Sequence, residues 1–279
     1  MSQDLISTQL CEPSHEILSL DKPVAWSILL TCEHASNRLP PGYPQWVWGP
    51  SDISKDLPNM HWAVDVGARL LLEDIMIALY KENERLPNPT APGIIQTVAA
   101  RFSRLLLDPN RPLTSDTLIR LQCDEEDVDL NKNLTKEEIE LRTNLLYNPF
   151  HNAITEIIKE KKVKMVFSIH SFNPIYEGNV RELEVGVLFD IEDEIGSIVT
   201  ESLVKDGIKA VENEPYSGKQ NLMYSPVSHR EEIQYENPLA LELEVRNDLL
   251  ADKQMRTKIA TSLAKALNHP KIVPRAVIM

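Results

Sequence analysis

Two apolar runs that do not alternate, residues 25–32 and 163–169, constrain the fold of this chain most strongly. A strand with one face in water alternates polar and apolar side chains, whereas a strand covered on both faces does not need to. Both runs therefore predict buried strands, and the segments around them must supply the cover. Helical periodicity is expected over residues 62–84, with Val66, Leu70, Ile77 and Leu79 among its apolar positions. A Thr135-x-x-Glu138 capping box opens a long helix to about residue 161. Further helices are expected over 192–205 and 253–267, and further strands over 94–99, 183–189, 208–212 and 239–245, with 103–108 as a strand or strand edge. Strands alternating with helices predict a three-layer αβα domain with a mainly parallel central sheet. Residues 1–22 read as an irregular lead-in, a Pro-, Gly- and Trp-rich loop is expected over 39–59, and 23–279 as one domain.

Composition narrows the class of partner. The formal net charge is −13, so neither nucleic acid nor an anionic membrane is the expected partner, since both demand basic surface. No apolar run approaches the roughly 18 residues that span a bilayer. The first residues lack the basic and apolar regions of a signal peptide. Three cysteines without C-x-x-C spacing fit a reducing compartment, and a cytoplasmic protein is expected.

Each buried run ends in a histidine. His34 follows the first and His170 the second. In an open α/β sheet ligands bind at the carboxyl ends of the strands, and neutral imidazole is a common zinc ligand. Either histidine alone is more simply a strand end satisfied by backbone; the pair suggests one divalent ion, Zn²⁺. A third ligand is sought among acids: Glu33 is adjacent to His34, and Asp65 stands at the start of the expected 62–84 helix, beside the small Gly67 and Ala68. Arg104, Asn110 and Arg111 cluster around Asp108, giving an acidic chain the local positive charge that an anionic substrate requires. On the last strand Glu242, Glu244 and Arg246 share one face, where a carboxylate near a metal would serve as a general base. His229 is placed in a polar loop and Tyr216 in a turn, while His151 carries no supporting context.

Taken in order, C-E-H-A-S-N-R-L-P, D-V-G-A, S-R-L-L-L-D-P-N-R-P, S-I-H-S-F, N-E-P-Y-S-G and E-L-E-V-R-N-D-L resemble the N-formylglutamate amidohydrolase family over residues 25–267. The resemblance implies a zinc-exopeptidase-like fold and metal-assisted hydrolysis of a small anionic N-acyl amino acid, N-formyl-L-glutamate first among them. The D-P-N-R run is also similar to the D-x-N-R element of zinc-dependent aspartoacylases and succinylglutamate desuccinylases, where it binds substrate carboxylate. Relatives place a Glu three residues after the first His; here that position is Asn37, which leaves the second ligand open between Asp65 and Glu33. The expected roles are then His34, Asp65 and His170 on the metal, Glu244 as general base, Arg104 on the developing oxyanion, Asn110 and Arg111 on the carboxylate, and Tyr216, His229 and Arg246 around the substrate. A deacylase of another N-acyl amino acid, or a homologue that binds without turnover, shares most of these features.

Overall fold

The structure is a computed structural model that describes residues 6–11, 14–20, 24, 26–39, 60–84, 93–123, 126–176, 178–220, 222–233 and 237–273. Strands β1 (Ile6–Cys11), β2 (His15–Leu20), β3 (Ile28–Cys32) and β4 (Ile95–Ala100) come first. Two small ribbons come at intervals after them, β5 (Gln122–Cys123) with β6 (Glu126–Asp127), and β8 (Ile175–Tyr176) with β9 (Asn179–Val180). Strands β7 (Met165–Phe172), β10 (Val185–Phe189), β11 (Ala210–Glu212) and β12 (Leu239–Arg246) complete an eight-stranded sheet in the order β1-β2-β4-β3-β7-β12-β10-β11. The four central strands β4, β3, β7 and β12 run parallel, while β1, β2 and β10 enter antiparallel pairings, so the sheet is mixed.

Helices cover both faces. On one side α1 (Ala68–Asn83), α4 (Asp193–Lys205) and α6 (Lys253–Leu267) bury Leu71, Leu203 and Leu263 against Leu30, Phe167 and Leu241 of the sheet. On the other, α3 (Asn148–Lys161) packs Phe150, Ile154 and Ile158 on Leu29, Val98 and Val166. Each such side chain contributes roughly 1.5–3 kcal/mol by leaving water. The two-residue period of a strand sorts the sequence between these faces. Ile28, Leu30 and Cys32 go to the first cluster and Leu29 to the second; Met165, Phe167 and Ile169 go to the first and Val166 to the second.

Toward the carboxyl ends the second face changes character. Where Val166 is apolar, Ser168 and His170 come next, and on β12 Glu242 and Glu244 come after Ala240. The parallel register sets Glu242 opposite Ser168 and Glu244 opposite His170, with Thr31 of β3 on the other flank of Ser168. A fully buried polar patch is thus built into one end of an otherwise apolar sheet.

Several expectations need correction. The lead-in of 1–22 is not irregular: β1 and β2 form a hairpin whose second strand pairs antiparallel with β4. Neither strand carries the long apolar run that marked the central ones. Residues 103–108 do not form a strand. They turn back on themselves, Leu106 N–H donating to Ser103 O and Asp108 N–H to Leu118 O, with Leu105, Leu106 and Leu107 buried by wrapping rather than by pairing. The helix expected from residue 62 begins at Ala68, after turns that end at Gly67 with φ 84°. The long helix of 135–161 is continuous but widens: α2 (Lys136–Arg142) passes through a π-helical turn over Thr143–Tyr147 into α3. Pro149 accounts for the widening, because it has no N–H to give and its ring crowds the carbonyl four residues back. His229 lies not in a loop but in α5 (Tyr224–Glu232), whose Pro226 falls in the first turn, where no N–H is required. The loop expected over 39–59 lies, beyond Leu39, outside the described residues.

Candidate metal centre and active site

Three buried side chains from three separate segments meet at this polar end. His34 leaves β3, His170 is carried by β7, and Asp65 precedes α1, its N–H anchored on His34 O at 3.0 Å. His34 Nδ1 lies 3.4 Å and His170 Nδ1 2.8 Å from the same atom, Asp65 Oδ2. The ligand atoms of the three all fall within 4.8 Å of one another, a grouping that could hold a metal ion.

The outer ring nitrogens decide how that grouping is oriented. His34 Nε2 is 2.7 Å from Asp108 Oδ1, and His170 Nε2 is 3.1 Å from Glu33 Oε2. A histidine that ligates a metal through one nitrogen characteristically donates the other N–H to a carboxylate, which sets its tautomer and ring plane. Both rings meet that condition here with Nδ1 facing inward. Glu33 is further held by the Ser168 hydroxyl, and Asp108 by Arg104 Nη2 at 2.6 Å. Glu33, the alternative to Asp65, therefore sits behind His170, and Asp65 is the carboxylate between the two inner nitrogens.

The donor set carries excess negative charge. Burial tends to raise the Asp65 carboxyl, yet the two imidazoles beside it hold it well below the usual range. Glu33 shows the same opposition: burial raises it, and its bonds to His170 and Ser168 bring it down to about 2. Asp108 is likewise drawn well down, against burial, by Arg104 and His34. His170 is pulled well above its ordinary value, against burial, by Glu242, Asp65 and Glu33. Two carboxyls go the other way. Burial raises Glu242, and it raises Glu244 well above the ordinary range, with the charges of Glu242 and Asp65 adding to the effect. Glu244 Oε2 is buried and has no hydrogen-bond partner among the described residues. Two histidines and one ionised carboxylate converging, with anionic support behind, suit a divalent cation of the zinc type.

The cluster opens on a cavity of about 270 Å³. His34, Asp65, His170, Arg104, Glu244, Asn110, Arg111 and Tyr216 all line it. Their partners refine what each can do. Arg104 is bound to Asp108 and reaches Asp65 Oδ1 at 3.4 Å, so it is fixed rather than mobile. Asn110 accepts from Ser225 N–H and donates to Glu242, while Arg111 donates to the Asn110 carbonyl. Tyr216 accepts from Arg181 at 3.5 Å.

Two of the expected residues are elsewhere. His229 is buried between α5 and α3, bonded to His151 and Thr155, and does not reach the cavity. Helix formation turned it inward, away from where a loop would have carried it. Arg246 points along the sheet end, to Asp248 and to the Arg181 carbonyl, also outside the cavity lining. Conversely, Arg120 and Arg181 line the cavity although neither stood out in the sequence. Arg120 stacks over Trp62 at 4.9 Å; Arg181 stands 4.6 Å from the Tyr176 ring and 5.4 Å from both Phe172 and Tyr216. Neither forms an ion pair with an acid among the described residues. Trp62 is far from Arg120 in the chain, as is Tyr216 from Arg181, whereas Tyr176 and Phe172 stand only five and nine residues before Arg181.

The sequence profile described as N-formylglutamate amidohydrolase matches residues 26–251. Among solved structures, the gene product Atu2144 from Agrobacterium tumefaciens is 29% identical, with 91% of this chain and 92% of that one covered at a TM-score of 0.72. A structure described as YNDL-apo (zinc-free) is far more remote, at 8% identity and a TM-score of 0.43 over 94% of this chain and 93% of that one. The comparison with curated proteins returned no match. With four-fifths of its length inside the matched region, the chain belongs to the N-formylglutamate amidohydrolase family, a family of hydrolases.

Proposed function

We propose that this chain is a metal-dependent amidohydrolase that cleaves a small N-acyl amino acid, with N-formyl-L-glutamate the preferred substrate and formate and L-glutamate the products. The observation that carries the reading is the paired orientation of His34 and His170, each with a carboxylate on its outer nitrogen and Asp65 between the inner ones. His34 Nδ1, His170 Nδ1 and Asp65 would hold one zinc ion. When bound, the ion supplies Lewis acidity to the scissile carbonyl and to water.

The remaining chemistry belongs to the side chains. Glu244 sits in the register position opposite His170, buried, with Oε2 unpartnered. That oxygen takes the proton of the attacking water and returns it to the leaving nitrogen, a task suited to a carboxyl whose proton affinity burial has raised. Arg104, immobilised by Asp108 and Asp65, presents fixed positive charge where the carbonyl oxygen becomes anionic. Arg111, beside Asn110, receives the α-carboxylate. Arg181 and Arg120, set over aromatic rings and free of acidic partners among the described residues, supply positive charge for the second carboxylate. The single catalytic unit is taken as residues 23–279.

Metal analysis of protein purified without chelators, together with formate release from N-formyl-L-glutamate, tests the reading. One equivalent of a divalent ion and loss of turnover in His170→Ala are expected. If no ion co-purifies and His170→Ala turns over as well as the parent, the reading is wrong. A panel of N-formyl, N-acetyl and N-succinyl amino acids separates the deformylase from another deacylase.

A further inference from the structure

A second pair of histidines lies outside the cavity lining and takes no part in the chemistry above. His151 of α3 and His229 of α5 face each other, Nδ1 to Nε2, at 2.9 Å. His151 Nε2 is 3.0 Å from the carbonyl oxygen of Pro109, and His229 Nδ1 is 3.1 Å from Thr155 Oγ1. A carbonyl can only accept, so His151 must carry its proton on Nε2. Burial lowers both rings, His151 to about 4 and His229 to about 3, so both are neutral near pH 7. The order is then forced: His151 Nδ1 accepts, His229 Nε2 donates, and His229 Nδ1 accepts. Thr155 has one proton for two acceptors, His229 Nδ1 and Glu232 Oε2 at 3.3 Å.

The far end of this chain is the point of interest. Pro109 joins Asp108, which orients His34, to Asn110, which bridges Glu242 and the Ser225 N–H. The turn is closed by Arg111 N–H on the Asp108 carbonyl and by Asn110 N–H on Asp108 Oδ1; proline has no N–H, so its carbonyl is the one backbone polar group by which Pro109 itself can be held. We propose that His151 is a positioning residue: its Nε2–H, the tautomer the Pro109 carbonyl requires and whose bare Nδ1 His229 satisfies, fixes that carbonyl and thereby the turn that delivers Asp108 and Asn110 to the active site.

Two readouts test this, and the first is independent of the amidohydrolase reading on which the second rests. Long-range ¹⁵N–¹H spectra of the histidine rings in the full chain should show His151 and His229 both protonated on Nε2. A His151 ring protonated on Nδ1 overturns the proposal. In turnover assays His151→Phe should lower kcat on the order of 10–100-fold with KM within about twofold. His151→Gln, whose side-chain N–H can still reach the carbonyl, should recover most of the loss. Parent-like kcat in His151→Phe, or equal damage in His151→Gln, overturns it. Should His151→Phe fail to melt cooperatively, the His151→Gln kinetics and the spectra of the parent decide. A chain that turns over no N-acyl amino acid at all would defeat the functional reading and leave the tautomer result standing.

Discussion

Glu244 and Arg181 show what a single residue can reveal about itself before its neighbours are known. Glu244 was legible, because strict alternation along β12 placed two acids on one face, and two acids there are costly to bury without a purpose. Glu244→Gln keeps the shape and removes the proton carrier; kcat should fall by about 10²–10⁴-fold with little change in KM, measured by formate release. Arg181 was not legible, since its environment is three rings from residues 172, 176 and 216. Arg181→Gln should raise KM for N-formyl-L-glutamate about tenfold while leaving a neutral N-formyl amino acid nearly unaffected, the loss expected of one charge-assisted hydrogen bond. Equal effects on both substrates would remove Arg181 from carboxylate binding. Asp108 lies between these cases. Its loop drew notice for its arginines, yet its bond to His34 Nε2 depends on two segments 74 positions apart. Asp108→Asn should weaken zinc binding by about 10–100-fold in chelator competition.

Among the elements, periodicity placed the central strands and the long helices within a few residues of where they lie. It failed where tertiary contact overrode it. The Leu105-Leu106-Leu107 run satisfies its apolar demand inside a turn that Arg142 holds, donating to the Leu106 carbonyl at 2.9 Å. The start of α1 was set by Gly67, not by the apolar pattern. Its φ is 84°, and a Cβ there would stand 2.4 Å from Leu250 Cβ. Gly67→Ala should therefore destabilise the chain by about 1–3 kcal/mol, read as a lower denaturant midpoint. It should also weaken metal binding, because Asp65 is two residues away on the same turn.

The whole molecule adds a pH dependence that no element shows alone. His151 and His229 are buried neutral, with folded values of about 4 and about 3 against 6.5 for an exposed ring. Between pH 6.5 and about 4 the unfolded chain binds more protons at these positions than the folded one, so stability falls as pH falls through that window. The melting temperature should drop there, and His151→Phe combined with His229→Leu should flatten the slope. The sequence alone determined the layered α/β architecture, the strand-end histidines, the arginine turn and the acid-bearing last strand, because each is a local pattern of polarity along the backbone. Only the tertiary structure decided that Asp65 rather than Glu33 stands between the inner nitrogens, that His229 belongs to a buried relay, and that Arg120 and Arg181 complete the cavity. Those are facts of direction and distance between segments far apart in the chain. Hydrogen bonds and ion pairs of this kind hold only within about 3–4 Å, which a sequence pattern does not encode.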